Sequence, residues 1–234
     1  VEATLGALPF NDSGSVNNAA FHAAHRISVE QQRPVFLIVH AIPGTTIGTW
    51  LPPYANNSNI PGTNWTGLNT KINAAFVSCS TELWNKDTID VLLWQQGEGE
   101  YALGPLYTLS TDRYPTLLTG FFEADWASPD MQVIVGQCLP QSAGGTAWQT
   151  NEEWAKMLNW PRVKIAVGTG LVTTGHDSGQ IVHYSGASLQ ELGYRMADIY
   201  NGVSTGLTSD AIYKAADAVG ATFWKERLFS RLVD

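Results

Sequence analysis

Three segments of the chain place polar side chains and glycines directly after short apolar runs. In one of them the run 89–95 (IDVLLWQ) leads into Gln96, Gly97 and Glu98. A side-chain amide beside a tight turn can donate hydrogen bonds to an oxyanion. A polar loop that only caps the next helix has the same composition. The segment therefore has a catalytic and a structural interpretation.

The other two segments carry groups that suit the same chemistry. The run 34–41 (PVFLIVHA) leads into Gly44 and Thr45, where a glycine lets backbone N–H groups face a ligand and a threonine adds a hydroxyl. His183 stands directly before YSGASLQELG, in which Ser185 is expected to be a helix N-cap. A histidine at this place can project from a loop into a cleft, although isolated histidines more often have structural roles.

The elements that must position these groups are visible as apolar runs and helical patterns. Four continuous apolar runs, at 34–41, 89–95, 131–137 and 163–168, indicate strands covered on both faces, and hence a parallel sheet. Helical patterns lie between and around them, at 16–32, 68–84, 111–126, 149–160 and 188–200. This alternation predicts a doubly wound α/β domain, which binds ligands at the carboxyl ends of its strands.

The composition narrows the class of protein. The 234 residues suit one α/β domain, and 44% hydrophobic with only 15% charged residues is too apolar for disorder. A formal net charge of -8 argues against a nucleic-acid partner. No apolar run approaches membrane-spanning length, and no signal peptide is visible. Nine tryptophans are compatible with a sugar-binding cleft or with core packing.

The two cysteines, Cys79 and Cys138, make neither a disulfide framework nor a zinc site. Cys79 falls in a helical pattern and Cys138 just after a strand pattern, so free buried thiols are expected. The sequence predicts no metal ion and no cofactor.

Taken together, the three polar segments resemble the SGNH hydrolase superfamily, in its sialate O-acetylesterase-like and acetylxylan-esterase-like branch. That branch has a GGT-S-I-x-x-W turn, a W-x-Q-G-E strand end, and a D-x-x-H-F/Y motif followed by a helix with LG-x-R. The matching stretches here are PGTTIGTW (43–50), WQQGE (94–98) and HYSGASLQELGYR (183–195). They stand in the right order over roughly residues 16–200.

The resemblance implies a flavodoxin-like three-layer α/β/α sandwich with a mostly parallel sheet. It also implies Ser-His-Asp attack on an ester, usually an acetyl group on a sugar. In that mechanism His183 is the general base, and Gln96 with backbone N–H groups near Gly44 stabilises the oxyanion. Gly97 supplies the tight turn beside Gln96, and Glu98 orients the loop.

Two departures from the family pattern concern the carboxylate and the first turn. The carboxylate expected three residues before the histidine is replaced by Gln180, so Asp177 is nominated to orient the imidazole. The first glycine of the turn is Pro43, which has no N–H to donate, so a backbone donor must come from Gly44 or Thr45.

A third departure concerns the nucleophile. The G-Q-S-N and G-D-S motifs are absent, and the nearest candidate is Ser13 in FNDSGS. The preceding VEATLGALPF is a weak strand, so we expect the first strand and the serine to come from a polypeptide upstream of Val1, with Ser13 as the alternative. In the family's strand order, 2-1-3-4-5, the missing strand would leave a vacant slot beside 34–41.

These features predict an SGNH hydrolase-like domain over 1–200, followed by a linker and helical tail over 201–234 that serves packing or oligomerisation. The leading functional hypothesis is a carbohydrate O-acetylesterase acting on an acetylated glycan or polysaccharide. The alternatives are a glycan-binding module that lost its nucleophile and a structural domain of an extracellular or virion assembly, such as a trimeric phage tail protein. An extracellular or virion-associated location is expected.

Overall fold

The structure, a computed structural model, describes residues 18–53, 62–79, 87–97, 113–138, 147–168, 170–172 and 184–207, with backbone alone for 79, 147–149 and 152. Within these ranges there are five α-helices, three β-strands and two short 3₁₀ helices. In chain order they are α1 (Ala19–Gln31), a 3₁₀ turn (Ile47–Trp50), α2 (Thr63–Cys79), β1 (Ile89–Trp94), α3 (Arg113–Glu123), β2 (Ala127–Gly136), α4 (Ala147–Lys156), a second 3₁₀ turn (Met157–Asn159), β3 (Val163–Ala166) and α5 (Gly186–Tyr200).

The strands form a parallel sheet in the order β1-β2-β3. β1 pairs with β2 up to Trp94 opposite Val135, and β2 pairs with β3 up to Gly136 opposite Ala166. The predicted α/β class with a parallel sheet is therefore confirmed.

Apolar side chains on the two faces of the sheet form two cores. One face, with Val133 of β2, packs against α2, α3 and α4 through Leu68, Phe121 and Trp154. The other face, with Ile134 of β2, packs against α1 and α5. Helices thus cover both faces of the sheet, which makes the predicted three-layer sandwich.

Helices α1 and α5 lie side by side on the second face. Asn18 caps α1, since its Oδ1 accepts the N–H of Phe21 at 2.7 Å. A Cβ at Gly193 of α5 would stand 2.3 Å from the carbonyl oxygen of Ala19, so a glycine is required at this crossing. An ion pair between Arg26 and Asp198, at 2.6 Å, joins the two helices further along.

The prediction of a strand at 34–41 is wrong, because the structure assigns this segment no sheet pairing. Its residues are half-buried or exposed, whereas β2 is largely buried. A cavity lined by both 33–38 and 88–93 adjoins the edge of β1 that could have paired with it. An apolar run is a strand only where a neighbouring strand accepts its backbone hydrogen bonds.

The helical predictions are right in kind and shifted at their ends. Helix α2 begins at Thr63, five residues before the predicted helix 68–84. Helix α3 lies within the predicted range 111–126 and continues through Pro115 and Gly120. Proline is tolerated in the first turn because the N–H there has no helical partner. At Gly120 a Cβ would lie 2.7 Å from Pro52, so close packing selects the glycine.

Five tryptophans among the described residues pack in the hydrophobic core. Each exposes 8% of its surface or less: Trp50, Trp65, Trp94, Trp126 and Trp154.

Cys79 ends α2, and Cys138 is a buried free thiol, as predicted. Among the described helices, none is long and apolar enough to cross a membrane. The tail from residue 208 onward lies outside the described residues.

Candidate active site

The carboxyl ends of the three strands lie level with one another. Because Trp94 is opposite Val135 and Gly136 is opposite Ala166, the residues that follow each strand share one edge of the sheet. Ligands of open parallel sheets bind at this edge. The sequence-predicted residues Gln96 and Gly97 lie there, directly after β1.

We call Gly44, Thr45, Trp50, Gln96 and Gly97 the β1 corner of this edge. The Gln96 Nε2 donates a hydrogen bond to the carbonyl oxygen of Thr45 at 3.2 Å. The indole Nε1 of Trp50 donates to the Thr45 hydroxyl at 3.0 Å, which holds the turn from the other side. The structure therefore brings together two predicted site residues that are far apart in sequence.

Both glycines of the β1 corner adopt backbone angles that favour glycine. Gly44 has a φ of +67°, and a Cβ placed there would meet no atom of the described residues within 4 Å. Gly97 has a φ of +146°, and a Cβ there would be 2.3 Å from Thr150 Cγ2 and 3.0 Å from Cys138 Sγ. Any side chain at Gly97 would force the strand end apart.

We call Gln137, Gly168 and Tyr184 the β2–β3 corner. The Gly168 N–H donates to Gln137 Oε1 at 2.9 Å, and the Tyr184 hydroxyl donates to the Gln137 carbonyl oxygen at 2.8 Å. Tyr184 is only 2% exposed. A Cβ at Gly168 would lie 2.2 Å from the Tyr184 hydroxyl, so the glycine lets the ring reach the strand end.

The β2–β3 corner continues into the start of α5. Ser185 caps the helix as predicted, since its hydroxyl accepts the N–H of Ser188. The Ser185 N–H donates to the Val172 carbonyl oxygen, and the Val172 N–H donates to Ser188 Oγ, both at 2.9 Å. These bonds fix Ser185 and the start of α5 against the loop after β3.

Cys138 and Asn151 join the two corners. The Cys138 thiol lies 3.5 Å from the Gln96 carbonyl oxygen. The Asn151 side chain accepts the Cys138 N–H and donates to the Cys138 carbonyl oxygen, each at 2.9 Å. One amide of α4 thus satisfies the backbone of β2 where its strand pairing has ended.

Sequence reasoning missed Gln137, Gly168 and Asn151. The sequence does carry a signal for Gln137 and Gly168. Each is the last residue of an apolar run, as Gln95 is the last residue of the run 89–95. Nothing in the local sequence marks Asn151, whose role depends on how α4 packs against β2. The predicted residues Ser13, Glu98, Asp177, Gln180 and His183 lie outside the described residues.

His40, just before the β1 corner, is a half-buried histidine. Its ring packs edge-on against Trp50 at 5.5 Å between centroids. Burial lowers the pKa of His40 below its ordinary value, and the nearby Lys71 lowers it further, while a hydrogen bond that the ring donates to the backbone carbonyl of Asn64 acts in the opposite direction. The ring is therefore biased towards its neutral form. Among the described residues, no group of three His, Cys, Asp or Glu side chains is placed to hold a metal ion.

One comparison with known proteins gives a match. A family model described as carbohydrate esterase, sialic acid-specific acetylesterase, matches residues 11–202. No curated protein matches the chain. The matched region contains both corners of the carboxyl edge.

Proposed function

Because the chain belongs to the carbohydrate esterase family of sialic acid-specific acetylesterases, we propose that it removes O-acetyl groups from a glycan by serine acyl transfer at the carboxyl edge. The observation that carries this proposal is the hydrogen bond between Gln96 and Thr45. It joins the two segments that must cooperate to form an oxyanion site.

The β1 corner supplies the groups that stabilise negative charge. A glutamine amide has two N–H bonds, and at Gln96 one of them donates to Thr45. In the proposal the Gln96 amide donates to the oxyanion, together with the backbone N–H of Gly44 or Thr45. Fixed donors of this kind need no reorganisation as the charge develops. Among the described residues, no atom blocks the approach of the acetyl group beside Gly44.

The β2–β3 corner supplies the base. His183 directly precedes Tyr184, which is held to the end of β2 by its hydroxyl. That anchor supports a position for His183 at the same edge as Gln96. Asp177 is the carboxylate proposed to hold the imidazole in the correct tautomer, and Glu98 is proposed to orient the loop after Gly97.

For the nucleophile, the chain offers Ser13. Ser13 lies inside the family match over residues 11–202, and a serine supplied by sequence upstream of Val1 is the alternative. In the proposed step the Ser13 hydroxyl oxygen attacks the acetyl carbonyl carbon while His183 takes its proton. The sugar oxygen then leaves with that proton. Water, deprotonated by His183, attacks the acetyl-serine and releases acetate, which regenerates the serine.

The substrate class follows from the family as an acetylated carbohydrate. Such a substrate fits the proposed location outside the cell or on a virion. A homo-oligomer remains part of the same proposal, with residues 201–234 as its candidate element.

The test is acetate release from an O-acetylated carbohydrate by the purified chain and by His183→Ala. We expect the substitution to lower the rate by about three orders of magnitude or more, with an unchanged circular dichroism spectrum. The matched control is His25→Ala, since His25 is an exposed histidine on α1. Near-normal release by His183→Ala would overturn the assignment. Sugar binding without acetate release by the unaltered chain would favour a glycan-binding module instead.

The carboxylate is tested separately. Asp177→Asn keeps the size of the side chain but loses the charge that stabilises imidazolium, so it should slow turnover far more than Gln180→Ala. Turnover that falls with Gln180→Ala and not with Asp177→Asn would assign the orienting role to Gln180.

A further inference from the structure

His40 lies between two parts of the molecule that support the β1 corner. On one side its ring packs edge-on against the indole of Trp50, with 5.5 Å between the ring centroids. On the other side its Nε2 lies close to Gly67 of α2, where an added Cβ would stand 3.1 Å from that nitrogen. The imidazole is therefore confined between an indole and the backbone of α2.

Trp50 connects His40 to the turn that precedes the first 3₁₀ helix. We call residues 42–45 the Thr45 turn. The Trp50 Nε1 donates a hydrogen bond to Thr45 Oγ1 at 3.0 Å. The Thr45 carbonyl oxygen accepts the hydrogen bond from Gln96. A displaced indole would therefore disturb both the turn and its link to Gln96.

The neighbours of Trp50 differ in what can change them. The indole is 4% exposed and packs against Trp94, the last residue of β1, at 5.2 Å between ring centroids. Trp94 in turn packs against Phe121 in the core, so this support does not depend on charge. The support from His40 comes from a ring that can take up a proton. His40 is thus a neighbour of Trp50 whose charge changes with pH.

The surroundings of His40 suit a neutral ring. Its Nε2 is buried and, among the described residues, has no hydrogen-bond partner. In the imidazolium that nitrogen carries an N–H, and a buried donor without an acceptor is costly. Burial and then Lys71 of α2, the one charged side chain of the described residues that acts on the ring, lower the pKa of His40. The Lys71 ammonium donates to the carbonyl oxygen of Val39 at 2.8 Å, so a like charge is held beside the imidazole.

We propose that His40 is a positioning residue for the Thr45 turn, which holds Trp50 in place while its ring is neutral and releases it when the ring is protonated. Residues 41–44, which follow His40, are exposed, so a charged ring has water within reach. Once the ring has moved to solvent, the indole loses its contact on that side. The Thr45 turn and Gln96 then part, and the donors to the oxyanion are no longer fixed.

Protonation of His40 would thus lower the rate in acid although His40 is not the base. That effect on rate rests on the proposed function, whereas the coupling of His40 to Trp50 rests on their contacts alone. One force opposes the release, because a cation is attracted to the face of an indole. A charged ring that this attraction retained would leave Trp50 where it is.

The structural test is an NMR titration of the full chain from pH 7.5 into the acid range. It follows the His40 ring and the Trp50 indole N–H, whose signals are identified by their loss in His40→Gln and Trp50→Phe. We expect the indole signal to move with the same midpoint as the His40 ring, below pH 6.5 because the pKa of His40 is lowered. In His40→Gln the indole signal should stay constant over this range. An indole signal that stays constant while the ring titrates would overturn the proposal.

The matched control is His22→Gln. His22 is also half-buried, its ring packs edge-on against Tyr194 at 6.2 Å, and burial lowers its pKa. It lies on α1, however, across the sheet from Trp50. The Trp50 titration should persist in this variant, and its loss would contradict the assignment to His40. Circular dichroism at each pH tests for unfolding, and a helical signal lost at the same midpoint would contradict a local release.

The kinetic test is the dependence of kcat for acetate release on pH. Below both pKa values, protonation of the base alone lowers kcat about tenfold per pH unit, and a second protonation at His40 makes this about 100-fold. We expect the steeper fall in the unaltered chain and in His22→Gln, and the tenfold fall in His40→Gln. KM should change little, because the oxyanion forms only in the transition state. A tenfold fall in all three proteins would overturn the proposal.

Lys71→Gln should shift the steep fall to higher pH. It removes the like charge but keeps an N–H donor for the Val39 carbonyl oxygen, so the pKa of His40 should rise. A steep fall that begins at the same pH or lower would contradict the role of His40. If the chain releases no acetate at any pH while the His40 and Trp50 signals titrate together, the proposed function fails and the positioning role of His40 stands.

Discussion

The two corners of the carboxyl edge differ in the number of paired strands that support them. The β2–β3 corner stands on two paired strands, and Gln137 alone receives hydrogen bonds from both Gly168 and Tyr184. The β1 corner stands on one paired strand and on the segment 34–41, which has no sheet pairing. A side-chain hydrogen bond of 3.2 Å, from Gln96 to Thr45, links its two halves.

One edge of the sheet therefore contains a corner that core packing holds in place and a corner whose position depends on further structure beside β1. The β2–β3 corner is held by core packing of Ile134, Ile165 and Tyr184, each 2% exposed or less. The β1 corner depends on whatever completes the sheet beside β1. Substitutions at the first corner should therefore displace the base, whereas those at the second should weaken oxyanion stabilisation.

The largest effect is expected from Gly168→Ala. Its Cβ would lie 2.2 Å from the Tyr184 hydroxyl, so the ring must move and carry position 183 with it. A displacement of about 1 Å can cost about 100-fold in rate, and we expect a loss of acetate release of at least that size. Steady-state kinetics with a circular dichroism control measures it.

The control for this prediction is the double variant Gly168→Ala/Tyr184→Phe. Without the hydroxyl, the nearest ring atom is Cζ at 3.5 Å, an ordinary contact. Activity should return to that of Tyr184→Phe alone. A double variant as slow as Gly168→Ala would show that the clash with the hydroxyl is not the cause.

An effect of similar size is expected from Gln96→Ala at the β1 corner. Loss of one oxyanion donor costs about 10²–10³ in kcat, and KM should change little. Gln95→Ala, at the neighbouring half-buried glutamine, is the matched control and should stay within a few-fold of the unaltered chain. If both substitutions have the same effect, Gln96 only caps the loop, as the structural interpretation of the sequence allows.

A smaller effect, on stability, is expected from Asn151→Ala. This change leaves the N–H and carbonyl of Cys138 without the partners that Asn151 provides. A cost of about 1–3 kcal/mol in the free energy of unfolding follows for such groups. Urea denaturation measures it, with Asn159→Ala at an exposed position as the control. Equal midpoints for the two variants would mean that Asn151 does not support the bridge between the corners.

The smallest effect concerns pH and His40. Because the pKa of His40 is lowered in the folded protein, its contribution to stability is fully present above the unfolded value of 6.5. It is lost as the pH falls through the lowered folded pKa. Urea midpoints at pH 7.5 and 5.5 should differ less in His40→Gln, and an unchanged difference would contradict the assignment.

The sequence was sufficient to predict those strands and helix caps for which the local pattern and the tertiary packing agree. The continuous apolar runs ending near Gln96 and Gln137 became paired strands, and Ser185 caps α5 because its signal lies within four residues. The run 34–41 is as apolar, yet it is unpaired, since an apolar run predicts burial but not the presence of a partner strand.

The sequence predicted those site residues that stand after the end of a strand. Gln96 was found because it directly follows one apolar run, and Thr45 because it lies in the glycine turn four residues after another. Their contact then depends on the sheet bringing those ends to one edge. Asn151 was not predictable, because its amide replaces a strand partner only once α4 is packed beside β2. Its neighbours in sequence carry no trace of that role.

The most direct test of the account is covalent labelling of the unaltered chain with a fluorophosphonate, followed by peptide mass spectrometry. Such a reagent bonds a serine oxygen that a neighbouring base has activated. The account predicts a single labelled residue, Ser13, with labelling lost in His183→Ala and retained in His25→Ala. Acetate release by a chain whose Ser13 stays unlabelled, or labelling of Ser13 that persists without His183, would contradict it.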